Sequence, residues 1–277
     1  MLKFTFSLMI ALFISNLLFA QFYFKDILNC KQTAEEMHGY QLAKVKNIKV
    51  NSFEPDGEIS KDFYCEKKIS KDFKKCSLYT KNRQTGRSLM VSNFDEKGRI
   101  VRTYDSSDNV VTTTKFTYND FDELIKTTSK SNSKDDDFHS AITEAHLYQY
   151  QNHLPTQLLR IKNENDTTLI IFSSDKKNNL AIEKNTKTGE KYYYYYDEAN
   201  QLTDIVHLNE YKNSMVPDYI FEYNEKHQII QMNTSEDNNG SYYIWKYEYE
   251  NGLKKSEKIF SNKGEMAGMF EYEYEKR

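Results

Sequence analysis

From Phe94 to Arg277 the chain repeats one phrase: an aromatic-x-aromatic pair, a short polar turn, then an aliphatic residue. The clearest copies read FTYNDFDEL from Phe116, YYYDEANQL from Tyr194 and FEYNEKHQI from Phe221. The aromatics that precede the turns, taken as anchors, are Phe94, Tyr118, Tyr150, Phe172, Tyr196, Tyr223, Tyr249 and Tyr274. Their intervals of 24, 32, 22, 24, 27, 26 and 25 residues leave room for two strands and two turns per unit. A period of this size marks a repeat architecture, here of stacked β-hairpins.

Residue alternation supports the strands. In FEYEYEK, Phe270, Tyr272 and Tyr274 face one way and Glu271, Glu273 and Glu275 the other, and Tyr243, Trp245, Tyr247 and Tyr249 likewise oppose Lys246, Glu248 and Glu250. One face is aromatic and one charged, the pattern of an antiparallel sheet with a wet side. The step from anchor to aliphatic is even in every copy, so turn length varies while facing is kept. Asn239-Gly240, Asn251-Gly252 and Lys263-Gly264 supply turn chemistry. Open sheets rarely exceed about ten strands without curling, closing or splitting. The expected fold is all-β: a single, strongly curved antiparallel sheet of repeated hairpins, a half-barrel or spiral with its aromatic side inward. Residues Lys25 to Tyr40 read as a short N-terminal helix that plugs one end, and Ser129 to Phe138, SKSNSKDDDF, as the longest mobile loop.

Residues 1–20 carry a basic start at Lys3 and an apolar run from Phe4 to Ala20, the pattern of a secretory signal peptide. Residues 21–90 then hold the helix and leading strands, and 91–277 the repeats. The 257 residues after Ala20 carry 37 basic and 41 acidic side chains, a net charge of −4, which gives no nucleic-acid footprint. No second apolar stretch approaches spanning length, so no stable membrane span is expected after cleavage, and the protein is placed in the periplasm, outside the cell or at its surface. In that oxidising setting, Cys65 and Cys76 lie symmetrically about Ser70 and Lys71. A hairpin turning there would bring them opposite each other for a disulfide, the alternative being two separate thiols, with Cys30 unpaired.

The stretches GEKYYYYYDEANQLTDI from Gly189 and NFDEKGRIVRTYD from Asn93 resemble the tyrosine-aspartate (YD) repeats of Rhs-type bacterial surface and toxin proteins. Asp197 and Asp95 match the family's aspartate, with Asn119, Asn224 and Glu250 at the corresponding positions elsewhere, and Gly98-Arg99 reproduces its turn. The resemblance covers about Phe94 to Arg277 and implies a repetitive β-fold. It implies no catalytic position, since the repeat residues are structural in the family. The chain looks like a short exported form without a toxin domain.

Chemistry-bearing constellations are sparse. His139, His146 and His153 are spaced by seven with Glu144 between them, but odd spacing in a strand sends neighbours to opposite faces, which argues against a metal site. Asp135 to Asp137 lacks the spacing of a calcium loop. No nucleophile elbow or phosphate cradle is present, and no enzyme activity or cofactor is expected. The run Tyr192, Tyr193, Tyr194, Tyr195 and Tyr196 places rings on both faces and, with Trp245 and Tyr247, is the candidate ligand-stacking surface. The function expected is a noncatalytic envelope scaffold that binds a protein or glycan through a curved sheet face. The alternatives are a carrier of an apolar, lipid-like ligand inside the curled sheet, which a solid interior would remove, and an envelope-polymer hydrolase, which clustering of His139, His146 and Glu144 would favour.

Overall fold

A computed structural model describes residues 22–83, 85–134, 141–209, 214–235 and 241–277. The leader (1–20), the Asn239-Gly240 turn, Asp135 to Asp137 and His139 lie outside the described residues. Among the described residues, one helix, α1 (Lys25–Leu42), precedes eighteen strands. These are β1 (Val45–Phe53), β2 (Tyr64–Ile69), β3 (Lys75–Asn82), β4 (Gly86–Phe94), β5 (Ile100–Ser107) and β6 (Val110–Tyr118). They continue as β7 (Leu124–Ser133), β8 (Ile142–Gln151), β9 (Leu154–Lys162), β10 (Asp166–Ser174), β11 (Leu180–Asn185) and β12 (Lys191–Tyr196). The last six are β13 (Leu202–Asn209), β14 (Ser214–Tyr223), β15 (Ile229–Ser235), β16 (Tyr242–Glu250), β17 (Leu253–Ser261) and β18 (Met266–Lys276).

Each strand pairs antiparallel with its neighbours in sequence, and β1 pairs with β18 from Val45↔Lys276 to Phe53↔Met269. The sheet is therefore a closed barrel, which corrects the expectation of an open half-barrel or spiral. The hairpin period sets local pairing, whereas closure depends on one contact between the two ends of the strand series. Closure also removes the free edges that an open sheet would have to protect. Ser129 to Ser133, expected in a mobile loop, extend β7.

The turns carry a common grammar. The residue after the anchor accepts backbone hydrogen bonds through its side chain: Asp95 Oδ1 from the N–H groups of Lys97 and Arg99, Asn119 Oδ1 from Phe121 and Glu123, and Asn224 Oδ1 from Lys226 and Gln228. Asp175, which follows Ser174 rather than the aromatic Phe172, accepts from Lys177 and Asn179, and Asp197 accepts from Gln201. Three residues on, the backbone turns left-handed, at Gly98 (φ 77°), Asp122 (65°), Asn178 (66°), Asn200 (60°) and His227 (61°). Glycine, asparagine and aspartate tolerate that conformation best, so the repeat's polar turn residues are fixed by backbone geometry.

Immediately before these five turns, and before those that end β8 and β16, the register shifts by one residue, as between Asn93 and Phe94 opposite Ile100. Such bulges bend a strand and raise its twist, which helps a sheet close. They also set the next inward residue three places after the aliphatic, as with Leu124 and Thr127 or Leu180 and Glu183, all buried. Five tyrosine anchors then reach back to the preceding unit. Tyr118 donates to the Ile100 carbonyl at 2.8 Å, Tyr150 to Leu124 at 3.0 Å, Tyr223 to Leu202 at 2.7 Å, Tyr249 to Ile229 at 2.9 Å and Tyr274 to Lys254 at 2.6 Å.

The inward face is aromatic and aliphatic, as expected. A large core joins Phe22, Tyr23, Cys30 and Met37 to wall residues such as Ile48, Leu158, Ile170 and Tyr194, and a smaller one joins Val50, Cys65 and Leu78 to Trp245, Ile259 and Phe270. The hairpin between β2 and β3 forms, but it pairs Cys65 with Thr80 and Cys76 with Ile69. The two cysteines are thus offset by four residues, about 13 Å along the strand, beyond disulfide reach. All three cysteines are buried free thiols.

Closure is directly testable. Asn51 and Glu271 face each other across β1 and β18. Asn51→Cys combined with Glu271→Cys is expected to form a disulfide in the folded protein and none in urea. Failure to cross-link under oxidising conditions would speak for an open sheet. Tyr223→Phe, which deletes one reach-back hydrogen bond, is expected to cost about 1 kcal/mol in urea unfolding.

Candidate functional site

Helix α1 has no capping side chain of its own, since its N-cap residue is Phe24. The barrel wall supplies the cap. Glu183 on β11 accepts the backbone N–H of Tyr23 at 2.7 Å and of Phe24 at 3.0 Å, and the Tyr194 hydroxyl at 2.9 Å. A carboxylate there satisfies orphan donors and meets the positive end of the helix dipole. Burial raises the Glu183 carboxyl to about 7 against the three donors that favour its ionised form. Phe22 packs against the rings of Tyr192, Tyr194 and Tyr219, and Phe24 against Tyr194.

A chain of charges extends from the same helix end. Buried His146 on β8 places Nδ1 2.5 Å from Asp26 Oδ2 and Nε2 2.8 Å from Glu144 Oε1. Glu144 Oε2 in turn accepts from Arg160 Nη2 at 2.9 Å, and Tyr148 donates to Asp26 at 3.0 Å and to the Tyr23 carbonyl at 2.9 Å. Burial would lower the imidazole, but the hydrogen bonds to Asp26 and Glu144 overcome it and hold His146 up to about 9. Burial would raise Glu144, yet His146 and Arg160 hold it down to about 2. With both ring nitrogens donating to carboxylates, His146 is a fixed cation and lacks the free acceptor nitrogen that a general base needs. The network fastens the helix inside the wall.

The candidate residues read from the sequence separate accordingly in space. Tyr192 and Tyr194 are buried inward rings that hold the helix start, and Tyr196 packs inward beside them. Trp245 and Tyr247, read as part of a ligand-stacking surface, face inward and pack into the smaller core. Trp245 is 8% exposed within the smaller core, and its indole N–H has no partner among the described residues. His153 sits at a turn and binds Glu123, far along β8 from His146. Among the described residues no group of three His, Cys, Asp or Glu side chains is placed to hold a metal ion.

Only Tyr193 and Tyr195 of the five-tyrosine run face outward, Tyr193 pairing with Ile182 and Val206 and Tyr195 with Asp204. They form an open shelf with Ile182, Asp175, Asn179 and Asp197, on which Tyr195 is 50% exposed.

No protein-family model and no curated protein matches the chain. Among solved structures, a porin-like protein from Bacteroides uniformis is similar at 9% identity and a TM-score of 0.38, over 83% of this chain and 98% of that one. The Photorhabdus luminescens Tc holotoxin pore is similar at 12% identity and a TM-score of 0.34, over 79% of this chain and 11% of that one. A TcdB2-TccC3-Cdc42 structure is similar at 10% identity and a TM-score of 0.29, over 77% and 16% respectively. These likenesses are weak, and the chain spans a small part of the toxin chains.

The residues that sequence reasoning missed are Asp26, Arg160 and Glu183. The bulge after Leu180 hides Glu183, because plain alternation from Leu180 sends it outward. A bulge-corrected count of three after the aliphatic would have turned it inward.

Stability is expected to vary with pH in three windows. The His146 contribution is complete below its ordinary 6.5 and lost as pH rises through about 9. That of Glu144 is complete above its ordinary 4.5 and lost as pH falls toward about 2. That of Glu183 is present below 4.5 and lost as pH rises through about 7. Urea unfolding of His146→Gln should lose the alkaline limb near 9, whereas an unchanged slope would remove His146 as its source. Asp26→Asn, which leaves the buried cation half-paired, is expected to cost on the order of 3 kcal/mol.

Proposed function

We propose that the protein is a noncatalytic, exported barrel scaffold of the cell envelope that binds a glycan on the outer shelf of Tyr193 and Tyr195. The observation that carries this reading is the division of the tyrosine run. Its inward rings are consumed in holding the helix, whereas Tyr193 and half-exposed Tyr195 stand outside beside Asp175, Asn179 and Asp197. Flat rings flanked by carboxylates and an amide suit a sugar, which offers an apolar C–H face and a rim of hydroxyls. A glycan is favoured over an extended peptide because strand addition needs a free sheet edge, and closure leaves none.

Export is supported by the apolar segment of residues 4–20. A role as a membrane-spanning barrel is opposed by the wall itself, which turns aromatics inward and charges such as Lys126, Lys184, Glu271 and Glu273 outward. A lysine or arginine on a lipid-facing wall costs about 2–4 kcal/mol at the bilayer midplane. The apolar-ligand carrier is opposed by the filling of the aromatic interior with α1 and its own rings. The hydrolase is opposed by the double commitment of the His146 ring.

Titration of soluble envelope-polysaccharide fragments into the protein tests the shelf. Tyr195→Ala and Tyr193→Ala are each expected to weaken binding about fivefold, in the range of one lost ring contact, with an unchanged circular dichroism melt. Binding that survives loss of both rings would overturn the assignment.

A further inference from the structure

The outer wall from β5 to β12 is sorted by charge. Four acidic residues lie on these strands, Asp105, Glu144, Asp166 and Glu183, and the register turns all four inward. The outward charges are all basic: Arg102, Lys115, Lys126, Lys130, Lys184 and Lys191, each exposed. None of the six is in an ion pair with a carboxylate among the described residues. Two pairs of them stand directly opposite across neighbouring strands, Arg102↔Lys115 and Lys184↔Lys191. Like charges in that position destabilise a sheet. On the far side of the barrel carboxylates are interspersed with the outward lysines: Glu248 pairs with Lys258 at 2.6 Å and Glu275 with Lys46 at 2.7 Å, although Lys246 stands opposite Lys258 there.

Between the basic strands lies an apolar row. The register runs Lys126↔Leu147↔Leu159↔Leu169, with Ile171 alongside, paired to Lys184. Leu159, Leu169 and Ile171 are 36%, 36% and 38% exposed. At the rims of this wall, Asp122 in the turn before β7 is held by Lys97, and Asp166, the first residue of β10, by Lys187.

We infer that this wall is a docking surface for an anionic lipid bilayer, on which the barrel lies on its side with the leucine row at the interface and the flanking lysines on headgroup phosphates. The combination decides between partners. Unpaired lysines alone would suit any polyanion, whereas an exposed leucine row framed by them matches a surface that is anionic outside and apolar beneath. Attraction to the lipid charge would offset the repulsion stored in the two like-charge pairs.

Co-sedimentation with phosphatidylcholine vesicles, with and without phosphatidylglycerol, tests this. The protein is expected to pellet with the phosphatidylglycerol vesicles only, and less so as salt rises. Lys184→Glu with Lys191→Glu should weaken that binding about tenfold or more, and Leu159→Gln with Leu169→Gln should also weaken it. Lys49→Glu with Lys246→Glu on the opposite wall should leave it unchanged. Thermal melts by circular dichroism establish that each variant is folded. Absence of pelleting with anionic vesicles, equal loss from the opposite-wall variant, or binding to heparin without binding to vesicles would each overturn the inference. The glycan shelf is read separately, since Tyr193→Ala and Tyr195→Ala leave this row and its lysines intact.

Discussion

Pairing of β1 with β18 is the constraint on which the rest of the structure depends. Closing the ring divides every strand residue between an enclosed side and a wet side. It also fixes how much space must be filled. About eight strands enclose an interior that wall side chains can occupy by themselves, whereas eighteen enclose far more. Tyrosine and phenylalanine reach further inward than valine or leucine, which accounts for a wall so rich in rings. Even these leave room for a helix, and α1 joins the same core as Ile48, Leu158 and Tyr194. The helix is thus a packing requirement of the barrel, and the barrel in turn supplies the cap that the helix lacks.

Fastening that helix with charges has a physical logic distinct from packing. A buried ion pair rarely stabilises more than an apolar contact of the same volume, because both partners lose their water. Its geometric demands are much stricter, however. His146 with two carboxylates, and Glu144 shared between His146 and Arg160, admit one placement of Asp26, and Glu183 admits one placement of the Tyr23 and Phe24 amides. Aromatic packing would tolerate a helix that slid or rotated by one residue, but the charge network would not. The polar contacts therefore select among positions that the rings alone would accept.

Much of the architecture was legible in the sequence. Most anchors, the strand alternation and the start of the helix are local features that the structure places where the sequence puts them, with α1 two residues longer than expected and with Ser174, not Phe172, next to its turn. Three features were not legible, each for a physical reason. Closure rests on a contact between β1 and β18, which no local period encodes. The bulges reset the inward face after every aliphatic, so a simple two-residue count misplaces Glu183. Alternation turns Trp245 and Tyr247 to the aromatic side, but that this side is packed into a core at their position also depends on closure. Of the proposed shelf, the tyrosine run was visible in sequence, but its division into holding and exposed rings depends on which side of the wall each ring takes.

The irregularity of the repeat has a physical account in its turns. Where the turn begins with Asp95, the residue four places on is Arg99, whose guanidinium returns to the Asp95 carboxylate at 2.6 Å. Where it begins with Asn119, the fourth residue is Glu123, which accepts the Asn119 amide at 2.6 Å, and Asn224 is matched in the same way by Gln228 at 3.1 Å. Asp175 is matched by Asn179, whose amide donates at 3.3 Å. The backbone asks only for an oxygen at the first position, which aspartate and asparagine supply equally. Their difference, a charge or an N–H group left over, falls on the fourth residue, and that residue changes type to meet it. In these four turns the first and fourth residues are thus complementary. A repeat written in complementary pairs can diverge widely in sequence and keep one backbone, which is how hairpins with such different turns close into a single ring.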